Sequence, residues 1–323
     1  MTSARIVVTG ADGFVGQRLC ARLEREGWDV HKVVRRSSTN APSSTSSIIS
    51  DLTEFSDWPT LLDGARAVVH LAAMTHSGGL RGGAALERYR SLNVDVSGNL
   101  ARAAQACGVS KFVYMSSIKV NGESSRTADG RMHAFSPSDV PAPIDNYGRT
   151  KWEAEKKLDS ILAGSSTQLT ILRPPLIFGP GQKANIQRLM RAVAREATLP
   201  FGGLENRRSY IYVDNLAAAV ALALRGHDLT ARTYTLADVT LSTPELILAM
   251  AKALGVPVSM AGLPRFVYRG LELLPGIGPK ISRLTGDLAV DSSAAIELLG
   301  WRSEVEFEAA LAVTAAWLRQ EPA

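Results

Sequence analysis

Arg5-Ile6-Val7-Val8-Thr9-Gly10-Ala11-Asp12-Gly13-Phe14-Val15-Gly16 sets how the rest of the chain is read. The first five residues, mostly β-branched, make a buried parallel strand. A GxxGxxG turn follows at once, and then a helical pattern from Gln17 to Glu26. Glycines at 10, 13 and 16 permit a tight turn and let backbone N–H groups at the helix start approach a pyrophosphate. Strand, glycine turn and helix in that order predict a dinucleotide site. The next strand, Asp29 to Val34, bears on which dinucleotide. A unit that takes NAD usually ends this strand in Asp or Glu, which bonds the ribose 2′-hydroxyl. Here Val34 is followed by Arg35 and Arg36, and Asp29 comes too early. With no carboxylate expected and two guanidiniums where a 2′-phosphate would lie, NADP(H) is favoured and NAD(H) is the alternative.

Outward from this unit, strands alternate with helices. Residues 37–47 are Ser/Thr-rich and read as an exposed loop. A short strand at Ile48-Ile49 leads to Asp51-Leu52. Ala67-Val-Val-His-Leu-Ala-Ala73 is a strand with a small-residue exit, where a cofactor can approach the backbone. A long helical pattern from about 84 to 107 contains Asn93. Lys111 to Met115 is the next strand, ending in Ser116-Ser117, and Thr170 to Leu172 another, ending in Arg173-Pro174-Pro175. This alternation predicts an α/β, Rossmann-like, doubly wound parallel sheet. Past residue 175 the pattern changes to a Gly/Pro turn, a basic helix, a strand from Arg208 into an Ala-rich helix, and a mainly helical remainder. The expected division is a dinucleotide-binding domain over 1–175, with 208–237 packing back onto it. A smaller, mostly helical substrate lobe over 176–323 would close over the sheet's carboxyl edge, where such folds bind ligands. Leu263 to Leu284 is apolar and basic; it is read as a cap over the substrate ahead of a membrane-surface contact.

Composition excludes several classes. At 323 residues, 46% hydrophobic and 21% charged, the chain can bury a large core. No apolar run approaches the ~18 residues of a membrane span. Met1 to Gly10 runs straight into the strand and turn, so no signal peptide is expected. Cys20 and Cys107 sit in helical patterns and read as thiols of a cytoplasmic protein, with no metal site. A net charge of +5 without clustered Lys/Arg and interleaved aromatics argues against nucleic acid and is compatible with an anionic small molecule.

Tyr147-Gly148-Arg149-Thr150-Lys151 opens a helical pattern after a Pro- and Asp-rich loop. Tyr147 and Lys151, four apart, share a helix face. A phenol is a poor acid at neutral pH, with a reference pKa near roughly 10. A neighbouring ammonium is expected to lower it toward the range useful for proton transfer. Ser117, thirty residues earlier at a strand end, would meet both at the sheet's carboxyl edge and orient a substrate oxygen. Hydride carrier, proton donor and orienting hydroxyl together imply carbonyl/alcohol interconversion.

On these residues, with Leu172-Arg-Pro174, Gly179-Pro-Gly181 and Arg208-Ser-Tyr-Ile-Tyr-Val-Asp214, the chain resembles the extended short-chain dehydrogenase/reductases. Its nearest branch is the nucleotide-sugar epimerases and dehydratases. The resemblance implies Tyr147 as acid/base, Lys151 as the residue that tunes it and binds the nicotinamide ribose, and Ser117 on the reacting oxygen. It implies cofactor contacts at Gly10, Gly13, Phe14, Val15, Gly16, Asp51, Leu52, Leu71, Ala72, Ala73, Asn93 and Pro174, besides Arg35 and Arg36. Asn185 and Arg208 would meet a sugar nucleotide's diphosphate, for which a guanidinium is well suited. Two positions depart from the usual pattern: Lys119 follows the serines, and Leu176 stands where an Asn often contacts the sugar nucleotide.

The resemblance is greatest to NADP(H)-dependent reductases of UDP-linked 4-keto-6-deoxy hexosamines, which serve surface-polysaccharide synthesis. The alternative is a UDP-hexose or N-acetylhexosamine 4-epimerase with tightly held NAD; a non-catalytic dinucleotide-sensing protein is the alternative of another class. The resemblance also implies a possible homodimer through the helix after strand four and the Tyr/Lys helix.

Overall fold

The computed structural model describes residues 4–35, 45–75, 82–127, 129–182, 185–226, 232–274 and 278–321. Among them, seven strands form one parallel sheet: β1 (Arg5–Thr9), β2 (Asp29–Val34), β3 (Ser46–Ile48), β4 (Ala65–His70), β5 (Lys111–Met115), β6 (Gln168–Arg173) and β9 (Thr233–Thr235). Their order is β3-β2-β1-β4-β5-β6-β9. The order reverses between β1 and β4, and a crevice opens there at the strands' carboxyl ends. A second sheet, β10-β8-β7, joins β7 (Leu176–Phe178), β8 (Arg208–Tyr212) and β10 (Val239–Leu241).

The helices are α1 (Phe14–Arg25), α2 (Trp58–Leu62), α3 (Gly82–Arg90), α4 (Val96–Ala106), α5 (Asn146–Leu162), α6 (Asn185–Ala194) and α7 (Val213–Arg225). They continue as α8 (Thr243–Leu254), α9 (Arg265–Glu272), α10 (Gly278–Thr285), α11 (Ser293–Leu298) and α12 (Phe307–Gln320). The central strands are apolar on both faces because helices cover both. Ile6 and Val8 pack with α1 and α7, while Val7, Val68 and Phe112 pack with α2, α4 and α5. A third core, around Met190, Tyr210, Ile247 and Leu311, holds α6, α8 and α12 to the small sheet.

Two features differ from the sequence reading. The helical run over 84–107 is broken by a π-helical turn at Ser91–Asp95, which carries Asn93 inward. Such single turns recur at functional sites because they re-aim one side chain. The short strand expected at Ile48-Ile49 pairs instead over Ser46–Ile48, because Lys32 to Val34 set its register.

Candidate active site

The glycine turn fits a pyrophosphate by its lack of side chains. A Cβ on Gly16 would stand 2.2 Å from Gly10 O, and one on Gly10 would stand 2.8 Å from Ala72 N. Gly10 also adopts φ +70°, where a side chain is strained. Helix α1 starts from Gly13 with no side-chain cap and no acid in its first turn. Its first N–H groups therefore face the groove without a competing partner. The groove, about 530 Å³, runs from Gly10 and Gly13 past Val34, Arg35, Asp51 and Leu52 to Leu71, Ala72 and Ala73. These residues fit a dinucleotide. Phe14 and Val15 lean the other way, against the lobe's core. Arg36 lies outside the described residues.

The exit of β4 is held by a directed chain of hydrogen bonds. Ala72 N–H donates to Thr9 Oγ1 at 3.3 Å, and Thr9 Oγ1 bonds His70 Nδ1 at 2.6 Å. His70 Nε2 bonds Ser97 Oγ at 2.9 Å, and Ser97 Oγ donates to Asn93 O at 2.6 Å. Since the Ser97 proton goes to Asn93, His70 must donate from Nε2 and accept at Nδ1. A neutral ring does this, and burial lowers the His70 pKa to about 3. Asn93 does not face the groove. Its amide accepts from Met74 N at 2.7 Å and donates to Met74 O and Thr150 Oγ1, at 3.2 and 3.0 Å. It ties the β4 loop to α5 and does not line the groove where its contact with the cofactor was expected.

Two groove residues escaped the sequence reading. Asp12 lies in the glycine turn, yet its Oδ2 accepts the Arg35 N–H at 3.4 Å. The expectation that no carboxylate is available at the end of β2 is therefore corrected: one arrives from the neighbouring loop. Arg88, from α3, lines the same end as Arg35 and Asp51. A basic residue one turn or so before Asn93 was its only signal.

Helix α5 carries Tyr147 and Lys151. Asp145 caps it, accepting the Gly148 N–H at 2.7 Å through Oδ1. Its Oδ2 accepts from Lys119 Nζ at 2.5 Å, and Lys119 also bonds Glu123 at 2.8 Å. Gly148 is tight for the same reason: a Cβ there would stand 2.7 Å from Lys119 O. Ser117 caps a short 3-10 turn, Ile118–Val120, and accepts Lys119 N–H at 3.3 Å. Burial pushes the Tyr147 phenol up to about 12, against a smaller downward pull from Ser117. Lys151, 1% exposed, donates to Met115 O at 2.7 Å and lies 6.0 Å from the Tyr147 ring centre. Burial lowers its pKa to about 7, against the pull of Glu155. From the sequence the ammonium is expected to lower the Tyr147 phenol; in this cofactor-free geometry desolvation is the largest influence on both groups, lowering the lysine and raising the phenol.

A buried ion pair anchors α5 to the strand ends. Arg173 donates to Glu155 from Nε at 3.0 Å and Nη2 at 2.5 Å, and to Asn121 Oδ1 from Nη1 at 3.0 Å. Ser116 Oγ completes the carboxylate at 2.5 Å. Pro174 is buried beside this network, and its carbonyl accepts Ile118 N–H at 3.0 Å. It shapes the serine turn. Across the crevice, Arg208 is largely desolvated, which lowers its pKa, and Arg283 adds to the lowering. Among the described residues no carboxylate ion-pairs with it; its Nη1 donates to Gly286 O at 3.1 Å. A largely desolvated guanidinium so placed suits an anion. Asn185 opens α6, and its side chain lies outside what is described. Among the described residues no metal-binding cluster occurs and no helix is long and apolar enough to cross a membrane.

Known proteins share this architecture. The chain is 34% identical over 299 residues to a UDP-glucose 4-epimerase of Vibrio cholerae, covering 92% of this chain and 90% of that one. It is 26% identical over 262 residues to an N-acetyl-α-D-glucosaminyl-diphospho-ditrans,octacis-undecaprenol 4-epimerase of Escherichia coli O157:H7, covering 80% and 75%. The solved structure of MoeE5 in complex with UDP-glucose and NAD superposes with a TM-score of 0.74 at 26% identity, covering 98% of this chain and 99% of that one. Residues 6–237 match the NAD dependent epimerase/dehydratase family, and the chain belongs to it.

Proposed function

We propose that the chain interconverts a hydroxyl and a ketone at C4 of a UDP-linked hexose, and that it does so as a 4-epimerase. The observation that carries the chemistry is the meeting of two elements at the carboxyl edge: Lys151 of α5 donates to Met115 O at the end of β5, and Ser117, two residues beyond that end, acts on the Tyr147 phenol at the start of α5. Lys119 and Glu123 connect the two sides: Lys119 holds the cap of the Tyr147 helix, and the Glu123 carboxylate acts on Arg208. Bound NAD would supply hydride acceptance and return at C4. Tyr147 moves the proton to and from the C4 oxygen. Ser117 orients that oxygen, and Arg208 holds the diphosphate. The epimerase reading is supported by the Vibrio cholerae relative and by Asp12, whose carboxylate lies beside the Arg35 N–H at the end of β2, the strand end from which an NAD ribose is bonded in such folds.

A second reading, an NADPH-dependent 4-keto-6-deoxy hexosamine reductase, is favoured by Arg35 and Arg88 at the same end of the groove. The test is turnover with UDP-glucose and UDP-N-acetylglucosamine without added dinucleotide. Appearance of the C4 epimer, lost in Tyr147→Phe, supports the epimerase. Turnover of a UDP-4-keto sugar only when NADPH is added overturns it in favour of the reductase.

A further inference from the structure

Lys151 is a buried amine with no carboxylate in ion-pair contact among the described residues. It is 1% exposed, and among those residues Nζ donates one hydrogen bond, to Met115 O at 2.7 Å. Glu155, one turn along α5, is already taken: its carboxylate accepts two bonds from Arg173 and one from Ser116. Glu155 favours the charged lysine from a distance, and burial opposes it more strongly. A buried charge is costly unless a neighbouring group compensates it.

The group that faces this amine is an aromatic ring. Nζ lies over the Tyr114 ring, 4.5 Å from its centre, closer than the 6.0 Å to the ring of Tyr147. Tyr114 is fully buried in β5 and immediately precedes Met115. One dipeptide of that strand therefore supplies both the ring and the carbonyl that meet Nζ. His70 of β4 stacks on the Tyr114 ring at 5.8 Å between centres and is neutral, so it sets no second cation beside the first. The titratable groups around Lys151 are thus Tyr147 and Glu155 on its own helix, Tyr114 on β5 and His70 on β4, with Arg173 of β6 acting through Glu155. The face of an aromatic ring is electron-rich, and it attracts a cation within about 6 Å of its centre, most strongly away from water. We propose that the Tyr114 ring face holds the Lys151 ammonium beside Tyr147, which makes Tyr114 a positioning residue for the reaction. The inference rests on the roles proposed above for Tyr147 and the C4 chemistry. With one N–H on Met115 O, the ammonium keeps donors for a ribose hydroxyl.

The test is the titration of Lys151 in the protein as purified, followed by the ¹³Cε signal of labelled lysine and assigned by its loss in Lys151→Met. Tyr114→Leu keeps an apolar side chain and removes the ring face. Its Lys151 midpoint is expected to fall by about one pH unit, and UDP-hexose turnover to fall about tenfold. Tyr114→Phe, which keeps the face, is expected to restore the midpoint. Should Tyr114→Leu not fold, phenylalanine carrying one, two or three ring fluorines at position 114 keeps the ring's shape and withdraws density from its face. The midpoint is then expected to fall stepwise with each fluorine. An unmoved midpoint in Tyr114→Leu, or one indifferent to fluorination, overturns the proposal and leaves Tyr114 a core residue only. A wild type without UDP-hexose turnover would sink the C4 reading instead, because the titration reads the ring contact whatever the substrate.

Discussion

Replacing Glu155 by Gln tests whether the Arg173–Glu155 pair is what sets α5 against the strand ends. The side chains are 4% and 2% exposed, and the carboxylate takes two bonds from the guanidinium and one from Ser116. Gln offers one acceptor in place of two and turns an N–H₂ toward a guanidinium or hydroxyl donor. Arg173 keeps its bond to Asn121 but loses its countercharge. Removing one partner of a buried pair costs about 3–5 kcal/mol; the surviving Asn121 bond argues for the lower end, about 3 kcal/mol. With an unfolding entropy of about 2.1 cal/mol/K per residue, that lowers Tm by about 4 °C in a chain of this length. The double variant Glu155→Leu/Arg173→Met removes both charges and is expected to recover more than half of the loss. Calorimetry on the wild type, Glu155→Leu, Arg173→Met and the double closes the cycle. A Glu155→Gln midpoint within about 1 °C of wild type, or a double variant as unstable as the singles summed, would refute the reasoning.

Other consequences follow from the same geometry. Tyr147→Phe removes the proton carrier but no groove residue, so turnover is expected to fall about 10²–10⁴-fold while dinucleotide affinity, measured by titration, stays nearly constant. Lys151, lowered to about 7 from 10.5, binds fewer protons folded than unfolded between those values. Its contribution therefore makes the cofactor-free protein gain stability as pH rises through that window. Urea midpoints at pH 7 and 9 should show the rise in wild type and a smaller one in Lys151→Met. Asp145 raises the Tyr147 pKa, and Lys119 faces that carboxylate. Lys119→Met is thus expected to move the alkaline limb of the pH–rate profile upward and Lys119→Arg to restore it; an unmoved limb would assign Lys119 no influence on the phenol.

The parts of this molecule that were legible in the sequence are those where local pattern and tertiary role coincide. Gly10, Gly13 and Gly16 are required by a backbone turn four to seven residues long, so their spacing already carries their function. The alternation of apolar strands with helices likewise reports a sheet covered on both faces. What escaped were meetings between segments distant in sequence. Asp12 reaches the end of β2 only because the turn after β1 folds over it, and Arg88 enters the groove from α3. The π turn that turns Asn93 inward leaves no mark in a pattern that reads as continuous helix. The Tyr147–Lys151 pair shows the same limit in its electrostatics. Four-residue spacing puts both on one face, but burial, which spacing does not report, turns the lysine to Met115 O and raises the phenol. Lys119 stood out beside the serines, but its partners Asp145 and Glu123 could not be read from its position.

The central claim is C4 epimerisation with a resident oxidised dinucleotide, and the most direct measurement is to denature the protein as purified, with no dinucleotide added, and identify what is released. Close to one NAD(H) per chain is the predicted result, with Asp12 serving the adenosine ribose. An empty protein that then binds NADPH much more tightly than NADH would contradict the account, and would make Arg35 and Arg88 the phosphate-binding residues of a reductase.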